Sequence, residues 1–373
     1  MRKFFRPLAL LAILGIVGAA CGNNNEGPGG TSAPAQTSGG AAASPTGEPV
    51  KIGLVYDTTG RGDKSFNDSA AAGLDKAKGE FNLDAKELTP NSGGTNRADL
   101  LSLLATQGYG LIIGVGFLFA PTMGAAAHQF KDVDFADVDG FIDNTTCDTC
   151  EDETPDGNLT SLLFAENEGA FLVGCAAALK SKSHHVGFIG GVNIDLIQKF
   201  QAGYDAGVQH CGKGTKVDHS YISQPPDFTG FDDPAKAKTI AQGMYQGGAD
   251  VVYHAAGGSG AGLFAAAEEF SQENNTHVWA IGTDSDQYLS APPDQQPFIL
   301  TSNLKRVDVA VYDTIKDYVN GNFTGGIKTF DLKSDGVGYA TSGGFVDDIK
   351  SKLDELAGNI KAGIIKVPTT LGG

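Results

Sequence analysis

Residues 51–78 read KIGLVYDTTGRGDKSFNDSAAAGLDKAK. Lys51 to Tyr56 is a short apolar run of the kind that forms a strand buried on both faces. Asp57 to Asp63 is a glycine-bearing loop, and Asn67 to Lys78 brings small residues to one face of a helix. Strand, loop and helix in this order open a βαβ unit. Downstream the alternation continues. Leu100, Leu103 and Leu104 give helical spacing within 96–107, and Gly110 to Val115 (GLIIGV) reads as a buried strand. Residues 120–130 read as a helix and 133–138 as a strand. The alternation predicts a parallel sheet with helices on both faces.

The pattern then starts afresh. Helices are expected at Glu166 to Lys180, 194–210, 234–246 and 260–271, and strands at Val186 to Ile189, 216–222, Asp250 to Tyr253 and 277–281. Two successive α/β halves of similar size predict two doubly wound parallel-sheet lobes. A strand near 298–302 and helices near 306–320 and 346–360 make a tail too short for a third domain. The tail is expected to cross between the lobes and form a hinge. The boundaries read as 50–165 plus about 285–305 for the N-terminal lobe, and 166–284 plus about 306–373 for the C-terminal lobe.

Upstream, Arg2, Lys3 and Arg6 precede an apolar run from Leu8 to Ala20, and Gly18-Ala19-Ala20-Cys21 ends it like a lipobox. Residues 1–20 therefore read as a lipoprotein signal peptide, with Cys21 as the lipidation site. The run is too short for an ordinary spanning helix. The usual lipobox carries Leu where Gly18 stands, so a non-lipidated signal peptide or an uncleaved anchor is the competing reading. Residues 21–49 are rich in Gly, Ser, Ala, Pro, Asn and Thr, and they read as a flexible tether.

With 27 Lys+Arg against 44 Asp+Glu, the net charge of −17 repels polyanions and argues against nucleic-acid binding. Cys147, Cys150, Cys175 and Cys211 allow three disulfide connectivities, of which Cys147–Cys150 with Cys175–Cys211 is favoured for an exported chain. A zinc site would need a second Cys-x-x-Cys or a spaced His pair, and neither is present. No metal and no cofactor is expected.

Ligands of open α/β sheets bind beyond the carboxyl ends of strands. Following the expected strands are Asp57, the run Gly62 to Asn67, Gly116-Phe117, Asp139, Gly190-Gly191, Gly257-Gly258, Asp284 and Lys305, with Phe200 in the helix after Gly191. Carboxylates accept hydrogen bonds from vicinal hydroxyls, aromatic faces stack on flat rings, and glycine turns let backbone approach a ligand. For any one residue, helix capping or core filling is an equally good explanation. The whole set at strand ends points to a neutral, hydroxyl-bearing ring compound.

Asp57 to Ser69 resembles the opening motif of the basic-membrane-protein family of ABC-importer substrate-binding lipoproteins, which includes purine nucleoside receptors. Similar stretches follow in family order: Val186 to Gly191 with Phe200 to Tyr204, Ala256 to Gly262, Ile281 to Gln287, Ser302 to Asp308, and Lys361 to Pro368. The resemblance implies a type I periplasmic-binding-protein-like fold, with two lobes joined by a hinge. It implies that Phe66 and Phe200 sandwich a base and that Asp57 and Asn67 bond the base edge. Asp139, Asp284 and Lys305 would hold sugar hydroxyls, and Gly257 and Gly258 would present backbone. It further implies a monomer that delivers a nucleoside to an ABC permease and touches the membrane through its lipid anchor alone.

Two rivals remain. A sugar or furanose-signal receptor would use the same fold and similar residues. A dinucleotide enzyme would need Gly at position 263 to complete G-x-G-x-x-G from Gly258, and Leu263 stands there. The phosphate-binding loop, G-x-S-x-G and H-E-x-x-H are absent, so no enzymatic activity is expected.

Overall fold

The computed structural model describes residues 47–142 and 157–372. The expected signal peptide, Cys21, most of the expected tether, Cys147 and Cys150 lie outside the described residues.

The first half runs β1 (Val50–Val55), α1 (Phe66–Glu80), β2 (Leu83–Leu88), α2 (Arg97–Thr106), β3 (Leu111–Val115), α3 (Ala120–Gln129), β4 (Asp134–Val138) and β5 (Leu159–Phe164). The second runs α4 (Glu166–Lys180), β6 (His185–Val192), α5 (Asp195–Cys211), β7 (Lys216–Ser223), α6 (Pro234–Gln246), β8 (Val251–Ala255), α7 (Gly260–Asn274) and β9 (Trp279–Asp284). It ends with the one-turn α8 (Gln287–Ser290) and β10 (Ile299–Lys305). The tail adds α9 (Val307–Val319), β11 (Gly326–Phe330), β12 (Val337–Tyr339) and α10 (Lys350–Lys361).

These strands form two six-stranded sheets, ordered β11-β5-β4-β3-β1-β2 and β12-β10-β9-β8-β6-β7. All pairings are parallel except that of β12 with β10. Each half thus has its second strand outside its first, then the third, fourth and fifth on the other side. That order places a topological switch point between β1 and β3 in one sheet and between β6 and β8 in the other. The loops leaving these strand pairs diverge, and the two crevices face each other. The apolar runs of β1, β3, β6 and β8 are continuous because these strands lie inside their sheets with both faces covered.

Two expectations need correction. Residues 285–305 do not complete the first lobe, because β10 pairs with β9 and β12 inside the second sheet. Residues 307–330 do not belong to the second lobe either: α9 packs on α1, and β11 pairs with β5. The chain therefore crosses near 165, near 306 and between β11 and β12. The physical reason is pairing: β10 is almost wholly buried and extends the parallel order of its own half by one strand. His185 opens β6 and is buried with its Nε2 2.7 Å from Asp218 Oδ2.

Cys175 on α4 and Cys211 at the end of α5 are joined by a disulfide, with Cα atoms 5.1 Å apart. The bond staples the helix pair that covers one face of the second sheet.

Candidate functional site

The loop after β1 is shaped by its own carboxylates. Asp63 accepts from the backbone N–H groups of Ser65, Asn67 and Asp68 at 3.0, 2.8 and 3.1 Å, which satisfies otherwise orphaned donors at the start of α1. Burial raises the Asp63 carboxyl, and these N–H groups work against the rise. Asp63 thereby presents Phe66 and Asn67, the first residues of α1, to the space between the lobes.

Across that space, Ser65 Oγ donates to Asp284 Oδ2 at 2.6 Å, and Ser285 Oγ donates to the Ser65 carbonyl at 3.0 Å. Gln287 Nε2 donates to the Lys64 carbonyl at 3.0 Å. Lys305, where the chain leaves the second sheet, reaches Asp139 Oδ2 of the first lobe at 2.6 Å and Glu166 Oε1 at 3.3 Å. Lys199 takes the other oxygen of Glu166 at 2.7 Å. The Lys305 ammonium also lies 5.1 Å from the Phe66 ring centroid, 5.0 Å from Phe164 and 5.7 Å from Phe200, within cation–π range of each.

The electrostatics of this cluster follow from depth. Burial opposes the charge on Lys305, but Asp139, Glu166 and Asp284 outweigh it and hold the ammonium above its ordinary value. Burial pushes Asp139 up, against the attraction of Lys305. Burial also pushes Asp284 up to about 7, again against Lys305 and the Ser65 hydrogen bond. Asp139 and Asp284 both carry positive φ, 67° and 64°, and sit where β4 and β9 give way to their loops. A left-handed backbone is tolerated by Asp at some cost and turns each carboxylate off its strand toward the cleft. Among the described residues, Asp139 Oδ1 is buried without a hydrogen-bond partner.

One cavity of about 570 Å³ lies between the lobes, a size typical of small-molecule sites. All nine residues singled out as ligand contacts line it: Asp57, Phe66, Asn67, Asp139, Phe200, Gly257, Gly258, Asp284 and Lys305. Gly257 has φ +53°, which glycine adopts without a Cβ penalty, and both it and Gly258 line the cavity with backbone and no side chain.

The structure adds residues the sequence reading did not single out. Arg97 lines the cavity and pairs with Asp57 Oδ1 at 3.0 Å. Phe228 and Phe231, from the loop after β7, meet Phe117, from the loop after β3, with ring centroids 5.9 and 6.5 Å apart. Together they form an aromatic contact between the lobes beside the cavity. The run Pro-Pro-Asp-Phe-Thr-Gly-Phe, 225–231, carried a usable signal: two aromatic residues in a loop directly after a strand. Arg97 carried none, since it reads as an ordinary first-turn helix residue. The structure also narrows the part Asn67 can play. Both its amide hydrogens are engaged, by Thr59 Oγ1 at 2.8 Å and Asp63 Oδ2 at 3.1 Å.

Two doubly wound lobes, three crossings between them and an interlobe cavity define a solute-binding protein with a type I periplasmic-binding-protein-like fold. The family described as ABC transporter substrate-binding protein PnrA-like matches residues 50–370, and the chain belongs to this Bmp family of binding proteins, not of enzymes. It is 35% identical over 340 residues to the ABC transporter nucleoside-binding protein BmpA of Lactococcus lactis subsp. cremoris, covering 86% of this chain and 89% of that one. Among solved structures, it is similar to an ABC transporter system solute-binding protein from Aeropyrum pernix K1, with 31% identity, a TM-score of 0.73, and 87% and 94% of the two chains covered. The Lac repressor, at 11% identity and a TM-score of 0.53 over 79% of this chain and 81% of its own, shares the fold alone.

Proposed function

We propose that the protein captures a purine nucleoside between its lobes and delivers it to an ABC importer while lipid-anchored through Cys21 at the outer face of the cytoplasmic membrane. The observation that carries the ligand class is the pairing of aromatic faces with buried acceptors in one cavity. Phe66 and Phe200, from opposite lobes, line the same space as Asp284 and Asp139, whose buried Oδ1 has no partner among the described residues. A flat base uses the two rings, and ribose hydroxyls donate to the carboxylates. Gly257 and Gly258 offer backbone, and Lys305 pairs with Asp139 and lies within cation–π range of both rings.

Asp57, Asp63, Asp139, Asp227, Asp232 and Asp284 line the cavity against Arg97 and Lys305 as its cations. That excess of acid favours a neutral nucleoside over a phosphorylated one. Among the described residues no helix is long and apolar enough to cross a membrane, consistent with attachment by lipid. The curated relative named for nucleoside binding supports the same reading.

The test is calorimetric titration of the protein, stripped of ligand by unfolding and refolding, with adenosine, guanosine, inosine, uridine and ribose. Saturable one-to-one binding of purine nucleosides, tighter than ribose, is expected. Tight ribose binding, or none of these ligands binding, overturns the nucleoside assignment and leaves a sugar or signal receptor of the same fold.

A further inference from the structure

Resting on the nucleoside reading, we propose that Arg97 is a positioning residue that fixes the Asp57 carboxylate as half of an acceptor-only edge, and that this edge selects bases presenting two adjacent N–H donors, as guanine does.

Three sets of contacts lead there. Asp57 Oδ1 is fully occupied, accepting from the Thr58 N–H at 2.8 Å and from Arg97 Nη2 at 3.0 Å. Asp57 Oδ2 has no hydrogen-bond partner among the described residues and belongs to the cavity wall beside Gly116. Asn67 Oδ1 accepts from the Asp57 N–H at 3.0 Å, while its Nδ2 donates to Thr59 and Asp63. That network settles the amide's orientation, because the flipped amide would set its NH₂ against a backbone N–H and its oxygen against a carboxylate. Asn67 therefore has a spare lone pair and no spare hydrogen. Both residues line the cavity, and the capacity this pair has left is to accept hydrogen bonds, not to donate them.

Arg97 is an unusual residue for its place. It is the first residue of α2, where a cation opposes the helix dipole, and it is only 8% exposed. Its Nη1 donates to the Gly94 carbonyl at 3.1 Å, its guanidinium lies 5.4 Å from the Phe119 ring, and its Nε is buried without a partner among the described residues. Gly94, at φ +68°, is wrapped so tightly that a Cβ there would collide with the guanidinium. The turn is built around this side chain, and the group it steers is Asp57. A planar fork can hold one carboxylate oxygen while leaving the other free; an ammonium cannot fix that orientation in the same way.

Base chemistry then decides. Guanine offers a ring N–H beside an exocyclic NH₂, two donors for two acceptors. Hypoxanthine offers the ring N–H alone. Adenine sets its NH₂ beside a ring nitrogen lone pair, which faces an oxygen. One charge-assisted hydrogen bond separates the first from the others, or about tenfold or more in affinity.

The experiment titrates guanosine, inosine and adenosine into the wild type and into Arg97→Lys, Arg97→Gln and Asp57→Asn, with a thermal melt of each variant. The readout is the ratio of dissociation constants rather than any one of them. The wild type is expected to prefer guanosine over inosine by about tenfold or more. Both Arg97 variants should reduce that ratio to about threefold or less, since the carboxylate is no longer pinned. Asp57→Asn should abolish or reverse it. Nucleoside binding with guanosine and inosine equal in the wild type overturns the inference while leaving the nucleoside reading intact. Equal loss of all three ligands in folded Arg97 variants overturns the positioning role. Absence of any nucleoside binding by the wild type overturns both. The wild-type ratio stands as a test even where a variant fails to fold.

Discussion

Asp284 shows how a single residue joins binding to stability. Its carboxyl is pushed up to about 7 by burial, with Asp63 and Asp139 adding to the rise. A carboxyl raised above its ordinary value near 4 binds more protons in the folded than in the unfolded state. Its contribution to stability is therefore fully present below about pH 4 and is lost as pH rises toward about 7. Asp284→Asn removes that titration while keeping an acceptor for Ser65. The ligand-free variant should gain in melting temperature relative to wild type as pH goes from about 5 to about 8. A difference that does not change with pH would show that Asp284 is not titrating in the fold. Phe66 is the complementary case, a residue whose value lies in its face. Phe66→Ala should weaken binding of the proposed nucleoside ligand by about tenfold or more in titration, the loss of one stacking contact and its buried area. Unchanged affinity would remove Phe66 from the ligand clamp.

Elements position these residues and hold them still. The α4–α5 pair carries Glu166 and Phe200 at the cleft, and the disulfide ties it at Cys175 and Cys211, 36 residues apart in sequence. The Cys175→Ser/Cys211→Ser double variant should lose about 3–4 kcal/mol of stability in denaturant titration, chiefly through the freer unfolded chain. Its ligand affinity at low temperature should remain that of the wild type, and a large fall would mean that the disulfide shapes the cleft as well. The loops after β3 and β7 do a different job. Phe117 meets Phe228 and Phe231 across the lobes. Phe117→Ala should speed ligand dissociation about five- to hundredfold in stopped-flow measurements, the range expected from two lost aromatic pairs. No change in the dissociation rate would mean that this contact does not hold the lobes closed.

At the scale of the whole molecule, Lys305 is the bolt. Its ammonium sits at a crossing between lobes, 3% exposed, against Asp139 at 4% and Glu166 at 1%. Lys305→Met would leave Asp139 buried without its counter-ion and Glu166 with Lys199 alone. A loss of about 3–5 kcal/mol is expected in denaturant unfolding, because breaking a buried pair strands the remaining charge. A loss below about 1 kcal/mol would place the pair among weak surface-like interactions.

Sequence by itself determined much of this. Apolar runs such as GLIIGV and the small-residue helices that follow strands establish alternating α/β structure, because burial on both faces of a parallel sheet demands such runs. Strand-end residues could be picked out as cavity candidates, because the chemistry of a doubly wound sheet gathers at its carboxyl edge. Less was legible where local pattern is weak. β2 (LDAKEL) is a half-exposed edge strand with no apolar run, and β11 (GIKTF) and β12 (VGY) are short edge strands with equally weak patterns, whereas β5 (LTSLLF) is a buried interior strand whose apolar run is legible in the sequence. Tertiary structure alone decided that β10 belongs to the second sheet and β11 to the first, that Lys305 bridges Asp139 and Glu166, and that Arg97 reaches Asp57 across 40 residues. Periodicity reports how each segment meets solvent, whereas sheet order and ion pairing depend on contacts between segments far apart in the chain, which no local pattern encodes.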